Sequence, residues 1–198
     1  MCKRSVAAPS AGVAVLALTA ALSVASAASP AAAATCPAST TCPTTVTFTV
    51  TAPDGLTITV PDGPVNIGSG APGTQISGLL GPVTVSDQRA ALTATWVATV
   101  SAASGGFTTG GGTAAETVPN SAVLYWSGAA TATTGTGTFV PGQANAAAAQ
   151  SLDVPRTAFS KTSGSGDNSA TWNPTIVVNV PAAAVAGTYT GTVNHSVA

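Results

Sequence analysis

"PVTVSDQRAALTATWVATVS", residues 82–101, decides how this chain folds. Val83 and Val85 alternate with Thr84 and Ser86, and Ala94, Trp96, Ala98 and Val100 alternate with Thr95, Val97 and Thr99. A period of two puts one set of side chains on each face of an extended strand. One face is apolar and must be covered, while the hydroxyl-rich face can meet water. That division predicts antiparallel strands with one buried side.

The same period recurs outward from this stretch. It is present in "TVTFTVT" (45–51), where Val46, Phe48 and Val50 share one side, and in "LTITV" (56–60). It returns in "TIVVNV" (175–180) and in "TYTGTVNHSV" (188–197), whereas "AVLYWSG" (122–128) is more continuously apolar. Turn-forming clusters such as "APDG" (52–55), "PDGP" (61–64), "SGGFTTGGGT" (104–113) and "SGSGDN" (163–168) separate these windows. Gly, Pro, Asn and Asp supply positive φ, a fixed φ or local side-chain hydrogen bonds there. "ANAAAAQSL" (144–152) lies between strand-like segments and reads as a strand of small side chains. Roughly seven to ten short strands predict an all-β domain, a single antiparallel β-sandwich of Ig-like kind, with a closed antiparallel barrel as the alternative.

The other end of the chain sets an expected compartment. Lys3 and Arg4 precede an apolar, Ala-rich run from Ala11 to about Ala28, followed by small residues as far as Ala34. A short basic region, an apolar run and small residues at a cleavage site predict a secretory signal peptide over residues 1–34. Two A-x-A sites compete, one ending at Ala27 and one at Ala34, and the second is preferred. Without those residues the cations are Arg89, Arg156 and Lys161 against six acids, a net charge of −3. With no basic patch, nucleic acid and anionic membrane surfaces are not expected partners. Cys36 and Cys42 stand in "CPASTTC", and an exported chain would join them in a disulfide closing the segment 35–43. So small a loop contributes only about 2–2.5 kcal/mol in the chain-entropy picture. The remainder, 44–198, reads as one domain with enough chain for a core.

Two segments then carry a resemblance. "GPVTVSDQRAALTATWVATVSA" (81–102) leads a strand through Asp87 and Arg89 to a Trp-centred strand, and "WNPTIVVNVPAAAVAGTYTGTV" (172–193) follows much later. This order resembles the WxL domain family of bacterial surface proteins. There, a V-x-D-x-R strand leads to a Trp-x-Leu motif, and a V-P…A-G-T-Y-T-G-T hairpin leads to a second one. The resemblance spans roughly 44–198. It implies export by a Gram-positive bacterium and non-covalent attachment to the cell wall through peptidoglycan. This chain departs at the motifs themselves. The first reads Trp96-Val97-Ala98, and His195-Ser196-Val197 stands in place of the second.

The candidate ligand-binding residues are Trp96, Trp126, Tyr125, Asp87 and Arg89. Alternation points Trp96 toward the presumed core, with stacking on a sugar ring as its other role. Tyr125 and Trp126 are adjacent, so one of them faces outward. Trp172, before Asn173-Pro174, reads as a packing lid. The i, i+2 spacing of Asp87 and Arg89 puts them on one strand face, as an ion pair or as a hydrogen-bonding site for a sugar or peptide stem. His195 is the only histidine and has no obvious nucleophile or orienting acid beside it. No enzymatic role, cofactor or metal is expected. The rival to wall binding is a structural subunit that pairs with other surface proteins through strand edges, with 187–197 as the candidate edge.

Overall fold

The computed structural model describes residues 37–41, 43–51 and 55–198. The expected signal peptide and both cysteines of the expected disulfide lie outside the described residues. The chain divides into two units, Met1–Phe48 and Thr49–Ala198. In the first, Pro37–Thr40 makes a tight turn in which the Thr40 N–H and hydroxyl both donate to the Pro37 carbonyl, at 3.3 and 2.7 Å.

The second unit is all-β. Its strands are β1 (Leu56–Thr59), β2 (Gln75–Leu79), β3 (Val83–Asp87), β4 (Trp96–Ala102), β5 (Phe107–Thr108), β6 (Thr117–Val118) and β7 (Val123–Trp126). They continue as β8 (Ala130–Thr134), β9 (Phe139–Pro141), β10 (Gln150–Ser151), β11 (Arg156–Lys161), β12 (Asn168–Trp172), β13 (Thr175–Asn179) and β14 (Val193–Val197). Every pairing is antiparallel. The first sheet runs β1-β3-β12-β8, the second β10-β7-β13-β2 and the third β14-β4-β11-β9, with β5 and β6 forming a separate ribbon. Each sheet has two ends, and none closes on itself, which removes the barrel alternative.

The first two sheets are halves of the same bent strands. β2 leads into β3, β7 into β8, and β12 into β13, and both halves keep the same neighbour order. The bends fall at Leu80–Pro82, Ser127–Ala129 and Asn173-Pro174. Pro82 and Pro174 lack the N–H that would continue a ladder. Other groups take over there. The Leu80 N–H donates to the Pro174 carbonyl at 2.8 Å, and the Gly81 N–H donates to Asn173 Oδ1 at 3.1 Å. Gly81 has φ 102°, and a Cβ there would meet Pro61 Cγ at 2.8 Å, so only glycine fits this corner.

One apolar core joins the inward faces of all three sheets. It contains Val83, Val85, Ala170 and Trp172 of the first, Val123, Tyr125, Ile176 and Val178 of the second, and Trp96, Ala98, Val100 and Phe159 of the third. Phe159 stacks on Trp172 at 4.9 Å between ring centroids, and Trp96 leans on Phe139 and Phe159 at 6.3 and 6.5 Å. A bulge between Thr157 and Phe159 inserts Ala158 into β11, so two consecutive side chains, Ala158 and Phe159, turn inward.

Two sequence expectations are corrected here. Residues 45–51 form no strand. Val46, Phe48 and Val50 are 79%, 85% and 77% exposed, because amphipathic alternation makes a strand only where a partner edge is present. The segment 144–152 is mostly not a strand. Asn145 caps a 3-10 turn, Ala146–Ala148, by accepting from the Ala147 N–H at 3.0 Å, and only Gln150–Ser151 pairs. Alanine has no branched surface to favour a pleated sheet, and the Asn side chain captures the local backbone instead.

Candidate functional site

The predicted residues part into an interior set and an outer set. Asp87 ends β3, opposite Leu56 of β1 and Asn168 of β12, and is fully buried. Arg89 grips it with two N–H groups: Nε donates to Oδ1 at 2.8 Å and Nη2 to Oδ2 at 2.9 Å. The Arg89 backbone N–H adds a third bond to Oδ1 at 3.1 Å, and Asn168 Nδ2 a fourth to Oδ2 at 3.2 Å. Asn168 Oδ1 in turn accepts from the Trp96 indole N–H at 2.8 Å, and Arg89 Nη2 also donates to the Thr95 carbonyl at 2.9 Å. The result is a polar pin that joins β3 and β12 of the first sheet to β4 of the third. Hydrogen bonds from Arg89 outweigh the opposing effect of burial and hold the Asp87 carboxyl below its usual range, so it is a carboxylate at neutral pH.

The pin has two neighbours that the sequence reading missed. Lys161 is buried. Its ammonium donates to the Ala94 carbonyl at 2.6 Å and sits 5.8 Å from the centre of the Phe139 ring. Ala90 takes a left-handed turn at φ 48°, and its N–H donates to Asp167 Oδ1 at 3.0 Å. The "SGDNS" stretch around Asn168 reads as a turn, which hides the residue that bridges Asp87 and Trp96.

Tyr125 and His195 form a second interior contact. The Trp172 indole N–H donates to the Tyr125 hydroxyl at 3.0 Å, and His195 Nε2 lies 3.4 Å from the same oxygen. The Tyr125 proton is left to point at His195, which suits a neutral imidazole whose Nε2 accepts. Burial lowers the His195 pKa from 6.5 to about 4 and raises that of the buried Tyr125 hydroxyl. Among the described residues, His195 meets the Tyr125 hydroxyl in its side-chain hydrogen bonding, and no serine or aspartate joins it there.

The outer set is different in kind. Trp126 is the half-exposed member of the aromatic pair, and Tyr125 is the buried one. Cross-strand register aligns Trp126, Thr175 and Leu79 in one row and Leu124, Val177 and Ser77 in the next, on the face opposite Tyr125 and Ile176, and the central members Thr175 and Val177 are buried. Leu79 is 57% exposed and Trp126 half-exposed, so the two present apolar surface on either side of the buried centre of the second sheet. Beyond the bend, the outer face of the first sheet carries hydroxyl rows. Thr59, Thr84 and Thr171 are aligned, as are Thr57, Ser86, Ser169 and Thr134. Several of these hydroxyls bond one another, Thr84 to Thr171 at 2.9 Å and Thr134 to Ser169 at 2.8 Å.

Of the five predicted ligand residues, then, Trp96, Tyr125 and Asp87 are interior. Trp126 faces out, and the Arg89 side chain is 36% exposed beside Asp87. Leu79, Leu124 and Val177 escaped the sequence reading. The signal for Leu124 was the unbroken apolar run "VLYW", in which both faces of the strand are apolar, and the signal for Val177 was the run "IVV" within 175–180. No family model, curated protein or solved structure matches this chain.

Proposed function

We propose that this chain is an exported, non-enzymatic surface protein, an Ig-like β-sandwich akin to WxL domains. It associates non-covalently with the cell wall of a Gram-positive bacterium by binding peptidoglycan. The observation that carries this reading is the exposure of Trp126 and Leu79, one on each side of the buried Thr175, next to rows of Thr and Ser hydroxyls. A sugar ring has apolar C–H faces and a hydroxyl rim. Trp126 and Leu79 suit the first, and the hydroxyl rows suit the second. The leader-like residues 1–34 support export. With no charged side chain among Trp126, Leu79 and the hydroxyl rows, attachment depends little on ions, and screening removes little of it.

Co-sedimentation with purified wall sacculi tests the proposal. Wild-type chain pellets at low and at high salt. Trp126→Ala lowers the pelleted fraction severalfold without loss of the folded near-UV spectrum. Failure of the wild-type chain to pellet, or pelleting that salt abolishes, would contradict it.

A further inference from the structure

Residues 45–51 read T-V-T-F-T-V-T, three apolar side chains on one side and threonines on the other. No strand pairing involves them among the described residues, and Val46, Phe48 and Val50 are 77–85% exposed. An extended segment with a bare apolar face and free backbone groups gains both burial and hydrogen bonds by joining a sheet edge.

The molecule offers an edge that fits. β14 has only β4 as a strand partner. Val97 and Ala198 exchange both backbone bonds, at 2.8 and 3.1 Å, and Thr192 accepts from the Ala103 N–H at 2.9 Å. Antiparallel alternation then directs residues 192, 194, 196 and 198 toward β4, while Val193, His195 and Val197 turn their N–H and C=O groups to the open side. Those three side chains are half-buried, as are Leu56 and Ile58 on β1, the edge of the first sheet. An added strand with its Val-Phe-Val side inward covers these groups. Its threonines then extend the outer face on which the Thr99 and Ser196 hydroxyls already meet at 2.7 Å. Seven residues span about 23 Å, enough to run the full length of β14.

We infer that residues 45–51 of one copy add as a strand to the β14 edge of a second copy of this chain. In its own copy the segment pairs with no strand among the described residues, which leaves it as a donor for another copy. Every copy carries both a donor and an acceptor, so each can give a strand to one copy and take one from another. This inference is independent of wall binding.

Sedimentation velocity of the purified chain over about a hundredfold range of concentration tests it. The wild-type mass rises with concentration. Phe48→Asp removes the donor without touching a buried group, and that variant stays monomeric. Val193→Pro removes an N–H that faces away from β4, and that variant is also monomeric with its fold retained. Mixing the two blocked variants gives a complex of two chains and nothing larger, because one intact donor meets one intact edge. Hydrogen exchange gives a readout that needs no proline variant. The His195 and Val197 amides gain protection as wild-type concentration rises, and they do not in Phe48→Asp. A wild-type chain that stays monomeric, a Phe48→Asp variant that still assembles, or amides of His195 and Val197 that stay unprotected would each overturn the inference.

Discussion

Trp96 and Trp126 stand on different strands of one small fold, yet they meet opposite surroundings. The Trp96 ring is buried between Phe139 and Phe159, and its N–H is committed to Asn168, which in turn holds Asp87. Trp126 lies half-exposed on an outer sheet face, in register with Thr175 and Leu79. The first region buries two charged groups, Asp87 and Lys161, each held by hydrogen-bond partners. The second has an apolar and hydroxyl surface with no charge. The contrast teaches that an indole is a structural element when its N–H is satisfied inside, and a contact surface when its ring is left in water.

Substitutions can break or sharpen that contrast. Trp96→Ala should act as a core deletion and cost about 3–5 kcal/mol in denaturant unfolding, since it empties a ring-sized space and leaves Asn168 Oδ1 without its donor. A pH titration of stability probes the interior next. The His195 pKa is about 4 in the fold against 6.5 when free, so the unfolded chain takes up the proton first as pH falls. Stability should therefore be complete above pH 6.5 and decline as pH drops toward 4, by at most about 3 kcal/mol, with no further loss from this group below that. His195→Gln should flatten that slope. Asp87 acts lower still. Its depressed pKa gives stability that is present above the usual carboxylate range and is lost as pH falls through the folded value.

Asp87→Asn should cost somewhat less than a fully buried pair would, about 2–3 kcal/mol, because Arg89 is partly exposed and water can solvate it once its partner is neutral. Chemical denaturation at pH 7 checks the value. Trp126→Ala completes the series. It should change stability by less than about 1 kcal/mol, as expected of an outer side chain, while removing most wall attachment. A large stability loss there would erase the distinction between the two regions.

Much of the fold was legible in residues 82–101 and 175–180. Their period-two pattern places Val83, Val85, Trp96, Ala98 and Val100 on the buried side, where they lie. The three bends were not legible, because the sequence marks Pro82 and Pro174 as breaks between strands and not as corners of continuous ones. Residues 45–51 show why alternation alone is insufficient: the pattern describes an amphipathic strand but carries no statement of its partner. At the candidate site, the spacing of Asp87 and Arg89 revealed the pair. Its burial depended on Asn168 and Trp96, which are distant in sequence and came together only through the strand order β3-β12 and the opposing sheet. Lys161 was illegible for the same reason, since a lone lysine is ordinarily solvated.

The three indole N–H signals in a proton–nitrogen NMR spectrum test the outer-face claim most directly. Two are locked, Trp96 to Asn168 and Trp172 to Tyr125. Titration with soluble peptidoglycan fragments should move the Trp126 signal progressively and leave those two in place. A Trp126 signal that stays fixed while wall fragments bind, or one that moves no more than the Trp96 signal, would contradict the account.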